Sequence, residues 1–113
     1  MADETSKTDK TGAPVVVTRE PGEFTIRVDG KTVGSTAFTD RDGQRVFHHT
    51  EVDEAFGGRG LATIVIAEAL AATRNEGLRI VPVCTSVAGY VAKHTELADV
   101  VDEPTQAILD SLP

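Results

Sequence analysis

Tryptophan is missing from this chain, and tyrosine, cysteine and methionine each occur once. With four phenylalanines as the only other aromatics, the core has to be built from Val, Ile, Leu and Ala. A lone cysteine, Cys84, excludes an intrachain disulfide. No apolar run approaches the length of a membrane-spanning helix, and the N-terminus lacks the apolar core of a signal peptide. Basic residues are in the minority: 11 Lys and Arg stand against 18 Asp and Glu, a formal net charge of −7. That excludes nucleic acid as the main partner, because neutralising phosphates takes clustered Lys and Arg. It gives no reason to expect a membrane partner either. An acidic surface attracts cationic amines, or only keeps a protein dissolved. The expectation is a cytoplasmic protein, monomeric or weakly dimeric.

A chain of 113 residues fits one domain. Residues 1–14, "MADETSKTDKTGAP", have almost nothing to bury and are expected to form a disordered tail, leaving 15–113 as the folded domain. "VVVTRE" is a short β-rich run closed by Pro21-Gly22. In "EFTIRVDG" Phe24, Ile26 and Val28 alternate with Thr25 and Arg27, and Asp29-Gly30 marks a hairpin into "KTVGSTAFT". A second turn at Asp42-Gly43 leads to the strand "RVFHHTEV", residues 45–52. The period then changes. Residues 61–77 read as a largely apolar helix with Gly77 at its C-terminal end. Residues 78–84, "LRIVPVC", read as a strand buried on both faces. A second helix is expected over 86–97 with Ser86 as cap, then a last helical turn in "DEPTQAILDSLP". The class is α/β or α+β: two main helices on a mostly antiparallel sheet of about five strands.

Between the strand and the first helix stand Gly57, Gly58, Arg59 and Gly60. Glycine reaches positive φ and lets a ligand approach the backbone. The first N–H groups of a helix lack internal partners and, with the helix dipole, suit a phosphate. Arg59 adds a forked, charged donor. A tight turn with no ligand is the plainer reading. No Gly-Lys-Ser/Thr follows, so this is not a P-loop, and "GGRGLA" lacks the spacing of a dinucleotide fingerprint.

"HTEV", four residues, then "GRGLA" at the head of a long helix resembles the cofactor motif of the GNAT superfamily of acetyl-CoA-dependent N-acetyltransferases. Gly58, Arg59 and Gly60 sit at its Gly-x-Gly positions, while Ala55 stands where a basic residue or Gln is usual. "VPVCTSVAGYVAKHTEL" is similar to the small single-domain branch, through Pro82, Cys84, Val87, Tyr90, Lys93 and His94. Ser86 and Thr95 depart from it. The likeness runs over roughly residues 22–100. It implies a minimal GNAT fold whose sheet splays at the cofactor cleft, with acetyl-CoA as co-substrate and an amine, on a protein or a small molecule, as acceptor.

The resemblance also implies roles. Val52, Gly57, Gly58, Arg59, Gly60, Leu61, Ala62 and Thr63 would hold the coenzyme, together with Lys93 and His94. Glu51 would be the general base in a direct transfer; the blander reading is an exposed strand glutamate. Tyr90 would protonate the departing thiolate, or is a half-buried core residue. Cys84, at a strand end beside a helix start, would accept the acetyl group transiently, or is an inert core thiol. His49, on the face of Glu51, would line the acceptor pocket, or is a surface histidine. His48 and His49 point to opposite faces and no Cys-x-x-Cys or His-Glu-x-x-His occurs, so no metal is expected. The rival reading is an acyl-CoA-binding module with little or no catalysis. A plain interaction domain is a third.

Overall fold

The computed structural model describes residues 4–112. Six strands form one sheet whose spatial order repeats the chain order: β1 (Glu4–Thr8), β2 (Pro14–Glu20), β3 (Glu23–Val28), β4 (Lys31–Arg41), β5 (Gln44–Val52) and β6 (Arg79–Pro82). Neighbours are antiparallel except β5 and β6, which run parallel across the connection made by α1 (Leu61–Asn75). Two more helices follow, α2 (Thr85–Lys93) and α3 (Gln106–Asp110). None of the described helices is long and apolar enough to cross a membrane. The hairpins close as Asp-Gly turns require. Asp29 and Gly30 have φ of 53° and 78°, Asp42 and Gly43 of 47° and 77°, the left-handed pair whose twist suits antiparallel strands.

The core lies between one sheet face and the helices. Leu61, Val65, Ile66, Ala69 and Leu70 of α1 pack on Val15, Val17, Phe24, Ile26, Val28 and Phe47. Val87 of α2 joins them. The opposite face carries a smaller cluster of Val46, Val81 and Ile108, so β6 is covered on both sides, as its apolar run requires.

Two expectations need correcting. Residues 4–8, expected in a disordered tail, form the edge strand β1, with Thr5 opposite Val17 and Lys7 opposite Val15. A ladder uses main-chain groups, so polar composition does not prevent it where a neighbouring edge is open. The turn that brings β1 back is fixed by Asp9, whose carboxylate accepts from the Thr11 N–H, the Thr11 hydroxyl and the Ala13 N–H. Lys7 then reaches Glu68 of α1 at 3.1 Å. The sheet therefore has six strands rather than about five. Residues 1–3 of the expected tail lie outside the described residues. The second helix starts one residue early, with Cys84 rather than Ser86 at its N-cap, and ends at Lys93. The ring of His94 donates to the Tyr90 carbonyl at 2.8 Å, and residues 95–100 continue as a tighter 3₁₀ turn.

Two irregularities set up the functional region. His48 is an extra residue in β5, because Phe47 pairs with Phe38 and His49 with Ala37. This bulge keeps Phe47, Thr50 and Val52 on the helix side and turns His49 and Glu51 to the open face. Pairing of β5 with β6 also stops at Phe47 and Pro82. The N–H groups of Val83 and Cys84 both donate to the Phe47 carbonyl, at 3.0 and 2.8 Å, and the chain then turns away into α2. From His48 to Val52, β5 is paired only with β4. The sheet is split there.

Candidate functional site

At the split end, α1 begins without a side-chain cap. Gly60 is its N-cap with φ of 77°, and the first internal bond runs from Ile64 N–H to the Gly60 carbonyl at 3.1 Å. The N–H groups of Leu61, Ala62 and Thr63 precede that bond, and no acidic residue occupies the first turn. Gly58 also has φ of 77° and therefore needs to be glycine, whereas Gly57, at φ −63°, is in extended backbone open to any residue. Of the three junction glycines, two are conformationally required.

A lysine of the N-terminal turn also lies at this helix end. Lys10 N–H donates to the Arg59 carbonyl at 3.0 Å, and the Lys10 side chain lies so close to Gly60 that a Cβ there would stand 3.1 Å from its Cε. Arg59 stacks over Phe56, 5.0 Å from ring centre, with Nε 3.7 Å from Asp9 Oδ2. That distance is long for a hydrogen bond. Arg59 Nη1 and Asp9 Oδ2 are buried without a hydrogen-bond partner. The Thr11 hydroxyl, ahead of the neighbouring backbone bonds and Arg59, holds Asp9 below the ordinary carboxylate range. Two cations and uncapped N–H groups thus meet at one helix end, a donor set that fits a diphosphate. Lys10 falls inside the segment whose composition predicts a tail. Only its charge marks it in the sequence.

Across the split, the Cys84 thiol donates to the Thr50 hydroxyl at 3.4 Å, and Thr50 in turn meets Thr36 at 2.9 Å. Burial pushes the thiol up. The Thr50 hydroxyl, the Val87 and Ser86 N–H groups and the Ser86 hydroxyl outweigh it, and the net shift is downward. Val52, half-buried, packs on the core. On the opposite face, Glu51 is exposed and pairs with His49 at 3.2 Å. These two line up as the sequence implies.

The other expected residues are not brought to the split by any contact among the described residues. The Tyr90 ring stacks on His94, centroids 3.8 Å apart, and lines a groove with Ala67, Leu70 and Arg74 of α1. Burial, then Glu96 and Glu68, raises its pKa and keeps the phenol protonated. Lys93 and His94 end α2, and Cys84 begins it. At 1.5 Å per residue Lys93 stands about 14 Å from Cys84 along the axis.

A family model described as GCN5-related N-acetyltransferase matches residues 23–100. The chain belongs to that family. The fold is similar to that of a GCN5-like protein from Staphylococcus aureus solved in solution by NMR, with a TM-score of 0.61 over 80% of this chain and 90% of that one at 17% identity. No curated protein sequence matches the chain. Family and fold together assign this GNAT protein to the acetyltransferases, as the residues around Gly58–Gly60 imply.

Proposed function

We propose that the protein transfers an acetyl group from acetyl-CoA to an amine. The observation that carries this reading is that the uncapped start of α1 and the half of β5 that β6 leaves uncovered lie at one end of the sheet, joined by eight residues of chain. Lys10, Arg59 and the N–H groups from Gly58 to Thr63 would hold the diphosphate, and the backbone at Val52 the arm that follows it. Thr50 and Glu51, adjacent on β5, face opposite sides. A thioester held on the helix side therefore meets, through the split, an amine arriving at the Glu51 side.

Glu51 takes a proton from the ammonium. The freed nitrogen lone pair attacks the thioester carbonyl, the C–S bond breaks, and the nitrogen gives up its second proton, which ends on the departing thiolate, as the amide forms. Tyr90 is the proton donor to the thiolate that the resemblance implies, and Tyr90→Phe tests it: an unchanged kcat removes Tyr90 from the reaction.

Titration of labelled protein with acetyl-CoA, followed by NMR, should move the amides of residues 52–63. Glu51→Gln should leave that titration unchanged and lower turnover about 100-fold or more. Saturating coenzyme with no amide shifts overturns the reading. Shifts without turnover over a panel of amines would instead establish a binding module.

A further inference from the structure

The open face of the sheet holds a cavity of about 620 Å³ that runs from Glu51 across β4 to β3 and the start of the 53–60 loop. Its charged lining is Glu20, Glu23, Glu51, Asp53 and Glu54, with no Lys, Arg or His. Among the described residues, Glu51 is paired with His49, and the other four have no cation partner. Two cations stand beside the cavity's lining residue Thr32. Arg27 reaches Thr32 at 3.4 Å, and Lys31 lies over Phe56, 5.6 Å from ring centre.

The register shows how the carboxylates are laid out. Thr18, Thr25, Ser35 and Glu51 form one cross-strand row. Glu20, Glu23, Ala37 and His49 form the next row on that face. Glu23 is two strands and two residues from Glu51, about 12 Å by strand geometry.

A second observation points to a ligand. Thr25, on the cavity floor, is only 4% exposed, and its hydroxyl has no hydrogen-bond partner. A buried hydroxyl left unpaired is unfavourable unless something entering the cavity completes it. The carboxylates do not converge on one point: no group of three or more His, Cys, Asp or Glu among the described residues is arranged to hold a metal ion. Charge spread along a cavity suits a ligand whose own charge is spread.

We infer that this cavity binds a linear polyammonium, of the class of spermidine, with one amine at Glu51 and a second cation between Glu20 and Glu23. The inference rests on the acetyl-transfer reading for which amine reacts, and not for whether the cavity binds.

Two measurements separate the inferences. In the first, spermidine is titrated into the protein without coenzyme, and amides are followed by NMR. Thr25, Ser35 and Glu51 should shift together. Affinity should fall steeply with added salt, and the double variant Glu20→Gln/Glu23→Gln should bind about tenfold more weakly with an unchanged spectrum elsewhere. In the second, kcat/KM with acetyl-CoA is compared for spermidine and n-butylamine. The ratio should favour spermidine at least tenfold and collapse in the double variant. No shifts at the cavity, displacement of spermidine by equimolar Ca²⁺, or occupancy by a lysine-rich peptide where spermidine fails would overturn the inference, whatever acetyl-CoA does at residues 52–63. Cavity shifts with no acetylation uphold the site and sink the transfer reading.

Discussion

Cys84 and Thr50 face each other across the mouth of the split, thiol to hydroxyl at 3.4 Å, although Thr50 belongs to β5 and Cys84 caps α2, 34 residues further on. The contact exists because β6 ends at Pro82 while β5 runs on to Val52. Hydrogen bonds there bring the thiol below its ordinary pKa against the effect of burial. Alkylation by iodoacetamide should therefore reach half its maximal rate at a lower pH than a reference thiol. Thr50→Val should move that midpoint upward, and saturating acetyl-CoA should slow the reaction at every pH. Under direct transfer, Cys84→Ala keeps turnover within about tenfold of wild type. Loss comparable to that of a removed nucleophile, on the order of 10⁴-fold or more, would make the thiol an acetyl carrier instead.

Lys10 is the second prediction. It lies on Gly60 and tethers the N-terminal turn to the Arg59 carbonyl. A partly screened phosphate contact contributes on the order of 1–2 kcal/mol, so Lys10→Ala should raise KM for acetyl-CoA about tenfold and leave kcat alone. Arg59→Ala should do the same, and the double variant shows whether the two cations act independently. An unchanged KM in both single variants would remove the phosphate role.

Much of this fold is legible in the residues. Asp29-Gly30 and Asp42-Gly43 announce their hairpins, the alternation of Phe24, Ile26 and Val28 gives the inward face of β3, and the change of period after Phe56 gives α1. The glycine junction gives the turn into α1. β1 is not legible, because its stability comes from main-chain bonds to β2 and from the Asp9 turn rather than from apolar side chains. Lys10 is hidden for the same reason. The bulge at His48 leaves no local signal, yet it decides which side of β5 carries Thr50 and which Glu51. For Tyr90 the motif gives the position and the structure adds the surroundings, a groove lined with Ala67, Leu70 and Arg74 of α1.

Arg45 is a further residue that pattern alone conceals. It is 1% exposed, in a strand position that reads as polar. Its guanidinium makes a fork to Asp40 at 2.8 and 2.9 Å, reaches Glu76 at the end of α1 at 3.0 Å, and lies 4.3 Å from the Phe38 ring centre. Burial works against the charge, but the bonds it donates to Asp40 and Glu76 outweigh it and the pKa is raised. Arg45→Met should lower unfolding stability by about 3 kcal/mol in urea. Arg45→Lys should rescue little, since an ammonium cannot make the fork. A loss below about 1 kcal/mol would show that the network is dispensable.

Gly34 of β4 pairs with Val52 of β5. A Cβ there would meet the Glu51 carbonyl at 2.9 Å and the Ile26 and Val52 methyls at 3.1 Å. Gly34→Ala should cost about 1–3 kcal/mol of stability, because β5 has to move away. Since Glu51 moves with it, kcat should fall by more than coenzyme affinity does. Equal losses in both would argue against this coupling.

Asp9 gives a pH-dependent test. Its folded pKa is lowered, so its contribution is present above the ordinary carboxylate value of about 4 and is lost as pH falls through the lower folded value. Wild type should lose more stability than Asp9→Asn between about pH 5 and pH 2, measured by urea melts. Parallel curves for the two proteins would show that the turn makes no contribution through ionisation.

Spatial order that repeats chain order also bears on how the molecule is made. Five strands are joined by short turns and zip between sequence neighbours, whereas β6 joins only after a 15-residue helix has been laid across them. Its arrival creates the split, so the molecule has no cleft until synthesis has passed Cys84. Pulsed hydrogen exchange during refolding should show Ile26 and Phe38 protected before Ile80 and Val81.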